Sequence, residues 1–358
     1  MTDRVSVVVA ASMDAVLRDM LSFTAVAGAP RTGVLRQDLD PVAGTLRRLI
    51  SDAGGVVEDV TLPLEHTCLG CAVREDSLPT LAAMAASGRW DRIMVCLPVS
   101  AATPPLARPL ADPAVAADLG TELIGVVTVV DAERVPDDLF GQDMLRDRSL
   151  HLSDDDGRSV GEALAAQLRH VDLVITAGTH GQGDVVIEHV RGAGTHRAEL
   201  YSLDATRLFT RRHDGARAEA RIDPRLTRPT TARDSDGVWT LDLESPRPMH
   251  PERFVEGLER LMAGSTCSRG RFFLPTRPEL AGEWEGVGSQ LSIGAAGPWQ
   301  GQRPTTRLVF TGTTDVRAEL TRAFSELLMT EVEAARAERW IGQDDGLDPW
   351  LGQRRFAA

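Results

Sequence analysis

Residues 4–17 read Arg-Val-Ser-Val-Val-Val-Ala-Ala-Ser-Met-Asp-Ala-Val-Leu. The run 5–11 is short, apolar and rich in β-branched side chains, which predicts a strand buried on both faces. A helical stretch over 14–24 follows at once. Outward from this pair the same alternation continues. Strands are predicted over 56–62, 92–99, 124–131 and 173–176. Helices are predicted over 43–53, where Leu46, Leu49 and Ile50 share a face, over 77–87 and over 159–170. Apolar strands separated by helices point to an α/β fold with a parallel sheet covered on both sides.

The pattern changes after about residue 205. Residues 207–236 are rich in Arg, Pro, Asp and Thr with little hydrophobic period, which reads as a linker. A second unit begins with the alternating strand Val238-Trp-Thr-Leu-Asp-Leu. An amphipathic helix over 251–262, strands at 270–275, 290–294 and 307–312, and a long helix over 315–339 follow. This order predicts a small α+β domain with an antiparallel sheet. The organisation expected is therefore an α/β domain over 1–206, a linker over 207–236, an α+β domain over 237–314, and a helix with an acidic tail over 315–358.

The 358 residues carry a formal net charge of −13, which argues against coating nucleic acid through bulk positive charge. All 39 basic side chains other than histidine are arginine, and the chain contains neither lysine nor asparagine. A mechanism that needs either side chain is excluded. The four cysteines, Cys68, Cys71, Cys96 and Cys267, form one close pair and two isolated residues, which is not a disulfide framework. No apolar run reaches about 18 residues, so no membrane-spanning helix is expected, and a reducing cytoplasm is the expected setting.

Cys68-Leu-Gly-Cys71 is the clearest chemical motif. Two thiolates three residues apart in a tight loop can point at one ion, a spacing suited to tetrahedral zinc. His66 is a candidate third ligand, and Glu65, Glu75 or a second molecule could complete the set. A pair of unreactive thiols and a redox dithiol are the alternatives that spacing alone leaves open. Cys96 and Cys267 lie on apolar segments and read as core thiols. The other histidines are scattered without ligand spacing, and His180 and His189, near one another in sequence, read as polar loop or helix positions.

The segment around that pair, "HTCLGCAVREDSLPTL" (66–81), resembles the cysteine loop of the CobW family of zinc-linked P-loop GTPases, with Gly70 in place of a middle cysteine. "VVTVVDA" (126–132) and "EALAAQLRHVDLVIT" (162–176) resemble the strand before the family's variable region and the elements leading to its guanine motif. "HPERFVEGLERLMAGSTCSRGRFFLPTRP" (250–278), Trp284, Trp299 and "RLVFTG" (307–312) resemble its C-terminal domain. The resemblance implies a P-loop-NTPase-like parallel sheet plus a small α+β CobW C-terminal domain.

The departures fall on the nucleotide machinery. A P-loop, Gly-x4-Gly-Lys-Ser/Thr, cradles phosphates with backbone N–H groups and a lysine. The corresponding residues 10–17, "AASMDAVL", hold no glycine and no lysine, and Asp14 places a negative charge where phosphates would lie. The guanine motif aligns with residues 177–180, Ala-Gly-Thr-His, and the acidic residue and Ser-Gly after the middle strand align with Cys96 and Ser100-Ala101. No GTP hydrolysis is expected, no catalytic residue is assigned, and GTP is not an expected cofactor.

A Cys-x-x-Cys loop without a P-loop further resembles an actinobacterial subgroup of hibernation-factor-recruiting factors. That resemblance implies a zinc-responsive adaptor that binds the small ribosomal subunit and recruits a hibernation-promoting factor when zinc is scarce. Arg211, Arg212, Arg217 and Arg221 are candidate rRNA phosphate contacts. The alternative it leaves is a CobW-type metallochaperone handing zinc to client proteins.

Overall fold

The computed structural model describes residues 4–64, 69–178 and 181–354. The chain divides into two compact units, one drawn from residues 1–138, 143–180 and 191–219, the other from 139–142, 181–190 and 220–358.

The first unit is built on an eight-stranded sheet: β1 (Val5–Ser12), β2 (Thr32–Asp40), β3 (Thr45–Asp52), β4 (Gly55–Pro63), β5 (Arg92–Cys96), β6 (Thr121–Asp131), β7 (Leu173–Ala177) and β8 (His196–Glu199). Their spatial order is β4-β3-β2-β5-β1-β6-β7-β8. Neighbours from β2 to β8 pair in parallel, with β1 at the centre between β5 and β6. Residues Val7 to Ala11 are wholly buried, as a strand covered on both faces requires. Helices α1 (Ala15–Gly28), α2 (Leu69–Ala86), α3 (Pro104–Ala111), α4 (Pro113–Leu119), α5 (Val135–Phe140) and α6 (Val160–His170) connect the strands.

The expected helix over 43–53 is strand β3. It pairs antiparallel with β2 and with β4, so the sheet ends in a three-stranded antiparallel flank. Leu46 and Ile50 are buried, and a spacing of four suits a strand face as well as a helix face. The cross-strand ion pairs Arg47–Asp59 (2.6 Å) and Arg48–Glu58 (2.8 Å) decide for the strand.

Helix α6 begins with a reciprocal cap. Ser159 Oγ accepts from Glu162 N (3.1 Å), and Glu162 Oε2 accepts from Ser159 N (2.7 Å). Replacing Ser159 with Ala should cost about 1 kcal/mol of stability, read from urea denaturation. An unchanged midpoint would show that Glu162 and neighbouring packing fix this helix end without the hydroxyl.

The second unit contains helix α7 (Gln182–Val190) and a five-stranded antiparallel sheet in the order β12-β11-β10-β13-β9. The strands are β9 (Trp239–Ser245), β10 (Thr266–Phe273), β11 (Leu280–Gly288), β12 (Gln290–Pro298) and β13 (Thr306–Gly312). Strand β11 was absent from the expected order. Its three glycines and alternating Glu residues hide the apolar pattern, and its face is instead filled by the buried Trp284, whose indole N–H donates to Ser268 Oγ (2.9 Å). At Gly270 in β10, any side chain would collide with the backbone carbonyl of Arg307, so only glycine lets β13 approach.

Residues 207–236, expected as a linker, hold helix α8 (Gly215–Ile222) and several single turns. The expected long terminal helix is divided. After α9 (Pro251–Gly257) and the sheet come α10 (Arg317–Leu327) and α11 (Glu331–Ala334), because Thr330 starts a new cap with Glu333. The acidic tail then returns to the core. Leu347 and Leu351 are buried, and the Asp345 carboxylate, with a side chain wholly shielded from solvent, receives Arg277 through two 3.0 Å bonds. Thr276 Oγ1 (2.7 Å) and Leu347 N (3.0 Å) also donate to it.

Candidate metal centre and the closed nucleotide crevice

In an open parallel sheet, ligands bind beyond the carboxyl ends of the strands. Here that end of β1 is closed by the chain itself. Only Met13 and Asp14 separate β1 from α1. The Asp14 carboxylate is the N-cap of α1, accepting from Val16 N (2.7 Å) and Leu17 N (3.1 Å). These are the free N–H groups, at the positive end of the helix dipole, that a phosphate would otherwise take. Ser12 Oγ accepts from Asp14 N (3.0 Å) and donates to Val129 O (2.8 Å), tying the turn to β6.

The neighbouring groups are used in the same way. Gln167 Nε2 donates to Ala101 O (3.0 Å), and its carbonyl receives Thr128 Oγ1 (3.2 Å). Arg18, in the first turns of α1, turns to Asp38 (2.7 Å) and Leu97 O (3.2 Å), and is buried there. The crevice left beside Met13, Asp14, Asp131 and Arg134 holds about 30 Å³. Small-molecule sites are typically about 300–1,000 Å³. Gly178 has a left-handed φ of 93°, and a side chain there would press on Asp131 Oδ1. Residues Thr179 and His180 of the aligned guanine segment lie outside the described residues. Cys96 ends β5 fully buried, with Sγ 3.1 Å from Ser22 Oγ. Burial pushes its thiol up to about 11, so it stays protonated and neutral near pH 7. Ser100 Oγ is committed to Leu150 O (2.6 Å).

Of the predicted zinc ligands, His66 and Cys68 lie outside the described residues. Cys71 is half-buried in the first turn of α2. This helix is anchored to the sheet by a polar network. Ser77 Oγ donates to Gln37 Oε1 (2.9 Å), Gln37 Nε2 donates to Asp76 Oδ2 (2.6 Å), and Arg48 pairs with Asp76 (2.6 Å). The network fixes the middle of α2 against β2 and β3. Gly70 has Pro105 of α3 against it, where a Cβ would sit 3.3 Å from the proline ring. The tight approach of α3 gives a physical reason for glycine at the middle of this motif. The donor chemistry at Cys71 fits zinc, and Glu75 follows one helical turn later. Among the described residues no group of three or more His, Cys, Asp or Glu side chains stands ready to hold a metal ion.

The predicted rRNA contacts separate on exposure. Arg212 and Arg217 are exposed and Arg211 is half-buried, but Arg221 is only 6% exposed and cannot present its guanidinium to a phosphate backbone. His170, His189 and His250 are buried, and the His213 side chain is almost wholly enclosed. Among the described residues no helix is long and apolar enough to cross a membrane.

Comparison with known families gives two matches. Residues 42–191 match the CobW/HypB/UreG nucleotide-binding domain, and residues 238–328 match the cobalamin synthesis protein CobW C-terminal domain. Both are models of domains of CobW-type proteins. The first match begins beyond β1 and α1, the elements whose turn Asp14 closes. The chain is 23% identical over 336 residues to a protein named as a zinc chaperone in Mycobacterium tuberculosis (strain ATCC 25618 / H37Rv), covering 82% of this chain and 81% of the relative. An uncharacterized protein of Mycobacterium bovis (strain ATCC BAA-935 / AF2122/97) matches with the same identity and coverage. Among solved structures, the zinc-bound YjiA GTPase from E. coli aligns with 91% of this chain and 99% of its own, at 13% identity and a TM-score of 0.36.

Proposed function

We propose that this CobW-family chain is a zinc-responsive binding protein that does not turn over GTP. The observation that carries this reading is the Asp14 cap on α1. An anion fixed to the chain already satisfies the N–H groups that a P-loop offers to phosphate. Phosphoryl transfer depends on positioning and on neutralising charge at those same groups. Opening the site would mean removing a bound carboxylate and widening a 30 Å³ crevice. Cys68 and Cys71, with His66, would hold zinc, which in this chain is the signal or cargo. The relative named as a zinc chaperone supports the zinc assignment.

The partners we propose are the small ribosomal subunit and a hibernation-promoting factor, in the cytoplasm. The loss of the phosphate turn together with a surviving cysteine pair supports this adaptor role over a GTP-gated one. Arg212 and Arg217 remain available for rRNA contact. The second reading is nucleotide-independent transfer of zinc to client proteins, favoured by the relative's name.

Two measurements test these readings. Pure protein with magnesium should show no saturable GTP turnover and no GTP binding at about 1 mM; saturable turnover lost on substitution in residues 10–17 would sink the central claim. Sucrose-gradient sedimentation of extracts should place the chain with small subunits after zinc chelation and release it on zinc addition. Absence from that fraction, with transfer of zinc to an apo-enzyme in vitro, would establish the second reading instead.

A further inference from the structure

We propose that the free edge of β12 binds an extended segment of a partner protein, which adds a sixth strand to the second sheet, and that Glu283 selects a segment with an arginine or lysine opposite Gly294. The inference concerns the second unit and holds whether or not the cysteine pair binds zinc.

A strand at the rim of a sheet presents unpaired N–H and C=O groups, and proteins usually blunt such an edge with charges or by keeping it short. Three of the four sheet edges here are blunted. Strand β4 carries Glu58 and Asp59, β9 carries Asp242 and Glu244, and β8 is only four residues long. Strand β12 is nine residues long, and residues 286–302 hold no charged side chain. Its Leu291 and Ile293 pack against the core, while Ser292 and Ala295 are exposed. Among the described residues its backbone bonds to β11 and, at the last position, Pro298 O accepts from Arg225 Nη1 (2.9 Å). The opposite side of the strand is left open to another backbone.

Glu283 supplies the selectivity. It stands on β11 directly opposite Gly294 of β12. Gly294 has no side chain, and the Glu283 carboxylate lies over it, with Oε2 3.7 Å from where a Cβ would sit. A residue added beside Gly294 stands one strand spacing further out, about 4.8 Å, so a long cationic side chain on it reaches the carboxylate. Among the described residues no cation answers Glu283: burial, then Glu285 and Asp223, hold its carboxyl above the usual range. Arg225 is taken by Asp223 (2.8 Å). A second copy of β12 would bring no cation either, because residues 286–302 are uncharged. The edge therefore fits a basic segment of another protein. In an added strand the backbone bonds supply affinity and the alternate side chains supply the choice of partner.

The test is fluorescence anisotropy of the full chain with a labelled nine-residue peptide of alternating valine and threonine carrying one central arginine. The peptide should bind saturably. Replacing its arginine with glutamate, or making Glu283→Gln in the chain, should weaken binding about tenfold. Saturating peptide should also slow amide hydrogen exchange in residues 290–298. No binding, equal binding by the glutamate peptide or by the Glu283→Gln chain, or binding without protection of 290–298 would overturn the proposal. Protection of 290–298 that rises with protein concentration in the absence of peptide would overturn it too, by making a second copy the occupant. Should Glu283→Gln fail to fold, judged by circular dichroism, the exchange of arginine for glutamate in the peptide still decides. Zinc is left out of the buffer, so none of these outcomes bears on the cysteine pair.

Discussion

Replacing Asp345 with Ala should lower the stability of the second unit by about 3–5 kcal/mol. The substitution removes the buried carboxylate from the Arg277 guanidinium, itself 4% exposed, leaves it only the more exposed Asp348, and strands the Thr276 hydroxyl and Leu347 N–H in a water-poor site. Urea unfolding followed by tryptophan fluorescence reads the loss. A change under about 1 kcal/mol would mean that water reaches this pair. The double change Arg277→Met/Asp345→Leu should recover part of the loss, since it removes both charges together. The pH dependence follows from the same contacts. Burial by itself would raise the Asp345 carboxyl, but Arg277, Thr276 and the Leu347 amide outweigh it and hold the group below 3.8. A depressed carboxylate contributes stability that is fully present above its unfolded value and is lost as pH falls through its folded value. The pair's contribution should therefore be constant near neutrality and disappear only below about pH 3.8.

The second large effect is expected at the cysteine loop. Cys68→Ser with Cys71→Ser should weaken zinc binding by at least about 100-fold, measured by competition with a chromophoric chelator. Even losing a supporting contact costs about 10–100-fold, and here two direct sulfur donors are lost. Zinc affinity of the unaltered chain should rise with pH through the thiol range, because each sulfur must shed its proton to coordinate. If the serine variant binds zinc unchanged while the unaltered pair forms a disulfide, the loop is a redox device and the zinc assignment fails.

The central strands were legible because β1, β6 and β7 are buried on both faces and leave unbroken apolar runs. Strand β3 was not, since Leu46 and Ile50 satisfy two periods at once and the deciding partners, Asp59 and Glu58, come from the next strand. The loss of the phosphate turn was plain from the absence of lysine and glycine in residues 10–17. How the turn is rebuilt was only half visible: Asp14 could be read as an unfavourable charge, yet its position directly before an apolar helix is also the signature of an N-cap. The partners of His170 and His213 could not be found by spacing, since Thr103 and Asp172 become their neighbours only when the chain folds.

The tethered carboxylate on α1 has a consequence for what the first unit can sense. A free phosphate dissociates, so the position of a helix that depends on it tracks the ratio of charged to spent nucleotide. Asp14 cannot diffuse away from Val16 and Leu17, and its local concentration is set by the short stretch of chain that links them rather than by metabolism. On the reading proposed above, the helix end holds the same posture in a fed cell and a starved one, and this corner of the molecule would be deaf to the cell's energy charge.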